Sequence, residues 1–155
     1  MIEIERKFKL DKLPSSEILK NAKKINMEQS YISLSPEIRI RKHNDSFCLE
    51  FKDDGTLSRK NVKIEIDSTK YESLKSFVKS NTLTKTRYCI NLNDDNIAEI
   101  DVYSGKYHGL MVVEVEFDSL EDANLFKPPS WFGKEITNDK NYKNKNIALF
   151  GLKYC

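Results

Sequence analysis

Five like-charged pairs stand two residues apart in this chain: Glu3/Glu5, Arg39/Arg41, Lys85/Arg87, Glu99/Asp101 and Glu114/Glu116. Apolar residues interleave four of the five, as in Ile38-Arg39-Ile40-Arg41 and Val113-Glu114-Val115-Glu116. In a β-strand, side chains at i and i+2 share one face about 7 Å apart. Like charges held there repel unless opposite charge lies between them. Arginine pairs suit a polyanion, because guanidinium binds phosphate oxygens bidentately and lysine adds point charge. Carboxylate pairs suit hard divalent cations. A triphosphate with Mg²⁺ or Mn²⁺ supplies both, so the pattern points to metal-assisted phosphoryl or nucleotidyl transfer.

Other chemistries have weaker support. No Ser/His/Asp or Cys/His nucleophile set is apparent. His43 and His108 fall at expected strand ends and read as solvated surface residues. Tyr31 and Trp131 read as packing residues, and Cys48 and Cys89 as small buried ones.

Strict alternation dominates the segments that must position these charges. Ile2, Ile4 and Phe8 oppose Glu3, Glu5 and Lys7; Phe47, Leu49 and Phe51 oppose Glu50 and Lys52; Val62, Ile64 and Ile66 oppose Arg59, Asn61, Lys63 and Glu65. Helical spacing is expected over 14–25, 69–80 and 139–152, with Thr69-x-x-Glu72 as a capping box and a short turn after Ser119. Turns are expected at Asp53-Asp54-Gly55, Asn93-Asp94-Asp95 and Ser104-Gly105. The order is β-α-β-β-β-β-α-β-β-β-α-α: an α+β chain with about eight antiparallel strands, residues 1–155 as a single domain.

Strands with one charged face can turn it to water. Here basic and acidic pairs sit on different strands, whereas a face built for solubility would intersperse the signs. A closed barrel with its charged face inward resolves the pattern. Its lumen would hold Lys7, Arg39, Arg41, Lys52, Arg59, Lys85 and Arg87 against Glu3, Glu5, Glu99, Asp101, Glu114 and Glu116.

A formal net charge of +2, from 26 basic and 24 acidic residues, argues against a nucleic-acid partner. Charges within the first seven residues exclude a secretory signal, and no apolar run is long enough to span a membrane. Three cysteines (Cys48, Cys89 and Cys155) match no zinc spacing or disulfide framework, so a cytoplasmic location is expected.

Glu3-Ile4-Glu5-Arg6-Lys7 resembles the ExExK signature of the CYTH superfamily, the triphosphate tunnel metalloenzymes. The resemblance continues in the family's order: Arg39-Ile-Arg41, Lys52, Gly55-Thr-Leu-Ser-Arg59, Lys85-Thr-Arg87-Tyr88, Glu99-Ile-Asp101 and Glu114-Val-Glu116. Trp131-Phe-Gly-Lys134-Glu-Ile-Thr-Asn-Asp139, then Tyr142 and Asn144, resembles the segment that caps the tunnel. The resemblance implies an eight-stranded tunnel in which the seven lumen cations and Lys134 bind the substrate. It implies metal ligands Glu3, Glu5, Glu114 and Glu116, with Glu65, Glu99 and Asp101 as further candidates. Glu5, Lys52, Arg59 and Lys85 are the groups expected at the chemistry. The short single-domain type implies hydrolysis of inorganic tripolyphosphate or a related organic triphosphate, and a homodimer as a prior. Two other readings stay open: a class IV-type adenylyl cyclase, and a triphosphate- or polyphosphate-binding module without catalysis.

One strand departs from the pattern. Where members carry Glu-x-Glu, this chain has Asn61-Val-Lys63, leaving only Glu65. Lys63 stands either in a metal's place or at the tunnel mouth facing solvent. The departure bears on the second metal, and leaves open activity at full strength, reduced activity or altered specificity.

Overall fold

The computed structural model describes residues 2–92 and 95–151. The turn residues Asn93 and Asp94, Cys155, and the last residue of the expected 139–152 helix lie outside the described residues. Eight strands form: β1 (Ile2–Lys9), β2 (Lys23–Leu34), β3 (Glu37–His43), β4 (Ser46–Lys52), β5 (Ser58–Ile66), β6 (Leu83–Asn91), β7 (Ile97–Tyr103) and β8 (Met111–Phe117). Among the described residues, four short helices accompany them: α1 (Ser16–Leu19), α2 (Ser68–Leu74), α3 (Leu120–Leu125) and α4 (Asn144–Phe150). Among the described residues, no helix is long and apolar enough to cross a membrane.

The strands close in the order β1-β5-β4-β3-β2-β6-β7-β8, every neighbour antiparallel, so the expected barrel forms. Because directly paired residues share a face, the register reads out the lumen. Glu3 pairs with Arg59, Lys52 with Asn61, Arg39 with Glu50, Arg87 with Asp101 and Glu99 with Glu114. The apolar residues between them face outward.

The outward face is covered on one side. Phe8, Ile100, Val113, Val115 and Phe117 pack with Ala123 of α3 and with Phe132. Burial of each such side chain stabilises by about 1.5–3 kcal/mol. A second core plugs one end of the barrel from within: Tyr31, Leu83, Tyr103 and Val112 meet Ile136, Tyr142, Ile147 and Ala148 of the C-terminal segment. Arg6 ties that segment down from outside. It donates to both oxygens of Glu135, at 3.0 and 2.7 Å, and to the carbonyls of Ala123 and Phe126.

Local expectations gave way in three places. The helix expected over 14–25 stops at Leu19, and Ile25 lies in β2, where ladders to β3 and β6 outweigh its helical spacing. The second helix starts one residue early, at Ser68, capped by Asp67 accepting from Lys70 N and not by a Thr69 capping box, and it gives way to a 3-10 turn after Leu74. The C-terminal helix is confined to α4, preceded by a 3-10 turn over Lys140–Tyr142. Ser119 caps α3 as expected.

Candidate active site

Two cavities run through the barrel. The first, beside the C-terminal plug, is lined by Glu3, Glu5, Lys7, Arg39, Arg41, Lys52, Arg59, Arg87, Glu99, Glu114 and Glu116, and by Lys143 and Asn144 of the capping segment. The second opens at the other end and is edged by Ile25, Met27, His43 and Lys63. Gly55 shapes the loop that delivers Arg59: a Cβ there would lie 2.0 Å from the Ser58 carbonyl oxygen.

The two signs are less segregated than the sequence implies. Arg39 Nη2 lies 3.1 Å and Arg41 Nε 2.8 Å from Glu50, Arg59 donates to Glu37 at 3.1 Å, and Lys52 donates to Glu3 at 2.7 Å. Glu37 and Glu50 are buried lumen carboxylates that sequence reasoning left off the site. Their signal was present, since each stands two residues before a lumen cation on the same strand. Lys143 was missed because it lies on irregular chain, where alternation says nothing.

Four residues expected at the site lie elsewhere. Lys85 and Asp101 are buried behind the lumen surface. Lys85 Nζ donates to Asp101 at 2.6 Å, and Arg87 donates to both Asp101 oxygens at 2.7 and 2.9 Å. Burial alone would raise the Asp101 carboxyl, but Arg87 and Lys85 hold it well below the usual range. Asp101 thus has both oxygens committed to fixed cations and orients Arg87, which does line the lumen. Glu65 follows the lumen register but lies beyond the rim, exposed and outside both cavities. Lys134 is exposed outside the barrel, its carbonyl accepting from Lys9 N. His43, read as solvated, instead lines the second cavity with a buried Nε2. Burial, followed by Arg41, Lys63 and Arg87, pushes it down to about 3, so it is neutral. His108 is exposed.

Like-charged carboxylates crowd on one patch. Glu5 stands directly opposite Glu116 across β1 and β8, and Glu99 opposite Glu114 across β7 and β8. Like charges paired so destabilise a sheet. Burial, then Glu114, pushes Glu5 up to about 8; burial, then Glu99, Glu3 and Glu114, raises Glu116 to about 6. Glu114 is held below its usual range because Lys7 and Arg87 outweigh its burial. Within this coupled pair, burial and the Glu114 charge push Glu5 toward its protonated form, while Lys7 and Arg87 keep Glu114 ionised. Among the described residues, no three carboxylates already converge at ligating distance. The donor chemistry nonetheless fits a hard divalent ion: buried carboxylate oxygens with excess negative charge. Across the lumen, the buried Nε of Arg39 lacks a hydrogen-bond acceptor, as a phosphate-binding wall requires.

No family model matches the chain. It is 40% identical over 152 residues to an inorganic triphosphatase of Nitrosomonas europaea, covering 96% of this chain and 98% of that one. It is 32% identical to an inorganic triphosphatase of Acetivibrio thermocellus, covering 94% and 92%. The crystal structure of the inorganic triphosphatase NE1496 superposes with a TM-score of 0.70 at 37% identity, covering 95% of this chain and 94% of that one.

Proposed function

The chain belongs to the inorganic triphosphatases of the CYTH superfamily, and we propose that its tunnel hydrolyses the terminal phosphate of inorganic tripolyphosphate with Mg²⁺ or Mn²⁺. The observation that carries the reading is the opposition, across one buried lumen, of a carboxylate patch on β1, β7 and β8 to a guanidinium wall on β3 in which the buried Arg39 Nε has no acceptor. Relatives named inorganic triphosphatase favour this over the cyclase.

In this reading Arg39, Arg41, Lys52, Arg59 and Arg87, with Lys7, hold the triphosphate and offset charge that develops on its oxygens. Substrate takes over cations that now bind Glu3, Glu37 and Glu50. Glu5, Glu114 and Glu116 would hold the divalent ion. When bound, that ion neutralises phosphate oxygens and lowers the pKa of water. Glu5, already placed to carry a proton, would accept it from attacking water once ionised. Glu3 accepts from Asn61 Nδ2 at 2.9 Å and from Lys52, so both its oxygens are occupied. Asn61 thus hydrogen-bonds a carboxylate where relatives of the CYTH type would add one, which supports a single-ion site. The free thiols Cys48 and Cys89 fit work in the reducing cytoplasm.

The test is phosphate release from tripolyphosphate with Mg²⁺ or Mn²⁺, with ATP as competitor and cyclic AMP monitored. Phosphate and pyrophosphate from tripolyphosphate are expected. Cyclic AMP from ATP, or binding without turnover, would overturn the reading.

Metal binding carries its own signature. The metal-free Glu5 holds a proton below about pH 8, and the ion must displace it. Affinity should climb as pH rises from 6 and level off above about 8. Calorimetry in buffers of different protonation enthalpy would count the released proton, and a pH-independent affinity would refute the assignment.

A further inference from the structure

Strand β5 outruns its neighbour on one side. Its ladder to β1 ends at Lys60, opposite Ile2, while its ladder to β4 continues to Ile66, opposite Phe47. Residues 62–66 therefore present an edge to which no strand among the described residues is paired. The helix that follows leaves this edge uncovered. It turns back over β4 and β2, with the Tyr71 ring 4.9 Å from that of Phe47 and its hydroxyl donating to Glu28 at 2.8 Å. Val62, Lys63, Ile64 and Glu65 are all exposed. The apolar ones are Val62 at 48% and Ile64 at 47%, with Ile2 beside them at 60%. An unpaired edge that carries exposed apolar residues is a template for another strand.

The backbone of this edge is set to donate and accept. Asp53 N donates to Lys60 O at 3.2 Å on the β4 side, and Glu5 N to Leu57 O at 3.0 Å on the β1 side. Alternate residues of an antiparallel strand turn their amide and carbonyl groups to opposite sides, so Lys63 and Glu65 turn theirs to the open edge. Of the two placements open from sequence, Lys63 takes the exposed mouth. Glu50, across β4 from it, is already held by Arg39 and Arg41. The run Val62-Lys63-Ile64-Glu65-Ile66 complements its own reverse. An antiparallel copy centred on Ile64 sets Lys63 against Glu65 of the second copy and Val62 against Ile66, and Ile64 meets itself. Lys63 and Glu65 then form the hydrogen-bonded pairs, and Ile64 the non-bonded pair, where side chains stand closest. Centring on Lys63 or on Glu65 would oppose like charges. The run also fits the space open to it, between Ile2 at one end and Asp67, the cap of α2, at the other. An edge lysine usually blocks strand pairing. Here it meets a carboxylate.

We infer that residues 62–66 are a self-pairing edge, through which two copies of this chain join their barrels into one sheet about a twofold axis at Ile64. The interface is isologous, so each Lys63–Glu65 contact occurs twice. This gives a role to the residue that departs from the CYTH pattern. A glutamate at 63 would face Glu65 of the second copy and repel it, whereas the lysine attracts it. The inference is independent of the triphosphatase reading, since it uses none of the residues proposed to hold triphosphate or metal.

The test is sedimentation equilibrium of the full chain across micromolar concentrations, with circular dichroism to confirm that each variant is folded. Wild type should show a reversible monomer–dimer equilibrium. Lys63→Glu and Glu65→Lys should each raise the dimer dissociation constant by about tenfold or more, since each turns two attractive cross-strand pairs into repulsive ones. The doubly exchanged chain, Lys63→Glu with Glu65→Lys, should dimerise like wild type. An equimolar mixture of the two single variants should form the mixed dimer, because every pair is then again of opposite sign. A wild type that stays monomeric throughout would overturn the inference. So would a dimer indifferent to both single changes, or folded exchange and mixed samples that fail to recover dimerisation.

Discussion

Asp101→Asn should destabilise the barrel by about 3–5 kcal/mol, the range found when one partner of a buried ion pair is removed. Asp101 is fully buried, and both oxygens accept from buried cations, Lys85 at 2.6 Å and Arg87 at 2.7 and 2.9 Å. Asparagine keeps the shape but withdraws the charge. Arg87 cannot shed its proton, and Glu99, at 2.9 Å, neutralises it only in part. Lys85, already brought down to about 8 by burial and by Arg87 against the pull of Asp101, can lose its proton, which limits the loss but does not remove it. Urea unfolding should show a lower midpoint at unchanged slope. A shift under about 1 kcal/mol would mean that Asp101 is not the counter-charge assigned to it. Activity should fall as well, because Arg87 would lose the contact that aims it into the lumen.

Glu114→Gln should lower kcat/KM with tripolyphosphate by at least about 100-fold and weaken metal binding in parallel. Glu114 is buried at the centre of the carboxylate patch, opposite Glu99 and Lys7. The same change has a second consequence of opposite sense. Glu114 is the largest charged contributor to the raised Glu5, so removing its charge should bring Glu5 down toward the usual range. The pH at which metal affinity levels off should therefore move to lower pH even as the affinity itself falls. Isothermal titration across pH separates the two effects. An unchanged metal affinity would place the ion elsewhere, and an unchanged profile would mean that burial alone raises Glu5.

Much of the barrel was legible because alternation is a short-range property. Ile38-Arg39-Ile40-Arg41 and Val113-Glu114-Val115-Glu116 each state which residues face one way, and closure of the sheet decides only which way is in. Strand β2 was less legible: Ile25 fits a helical spacing as well as a strand, and the ladders from β3 and β6 decided between them. The plug of Tyr142, Ile147 and Ala148 was visible only as apolar anchors, because what they cover depends on Arg6 and Glu135 bringing the segment back to β1.

The sequence by itself determined the barrel, its charged lumen and the chemistry that such a lumen serves. It did so because the period of two and the like-charge pairs are written in neighbouring residues. Only the tertiary structure decided which charges are spent. Lys85 and Asp101 cancel one another, Glu50 restrains Arg39 and Arg41, and Asn61 caps Glu3, while Glu5 and Glu116 face one another across β1 and β8 with no ion pair of their own among the described residues. Partners in these pairs lie on different strands, as far as 58 residues apart for Asn61 and Glu3. Coulomb energy depends on distance across the closed sheet, and register, which no local pattern encodes, sets that distance.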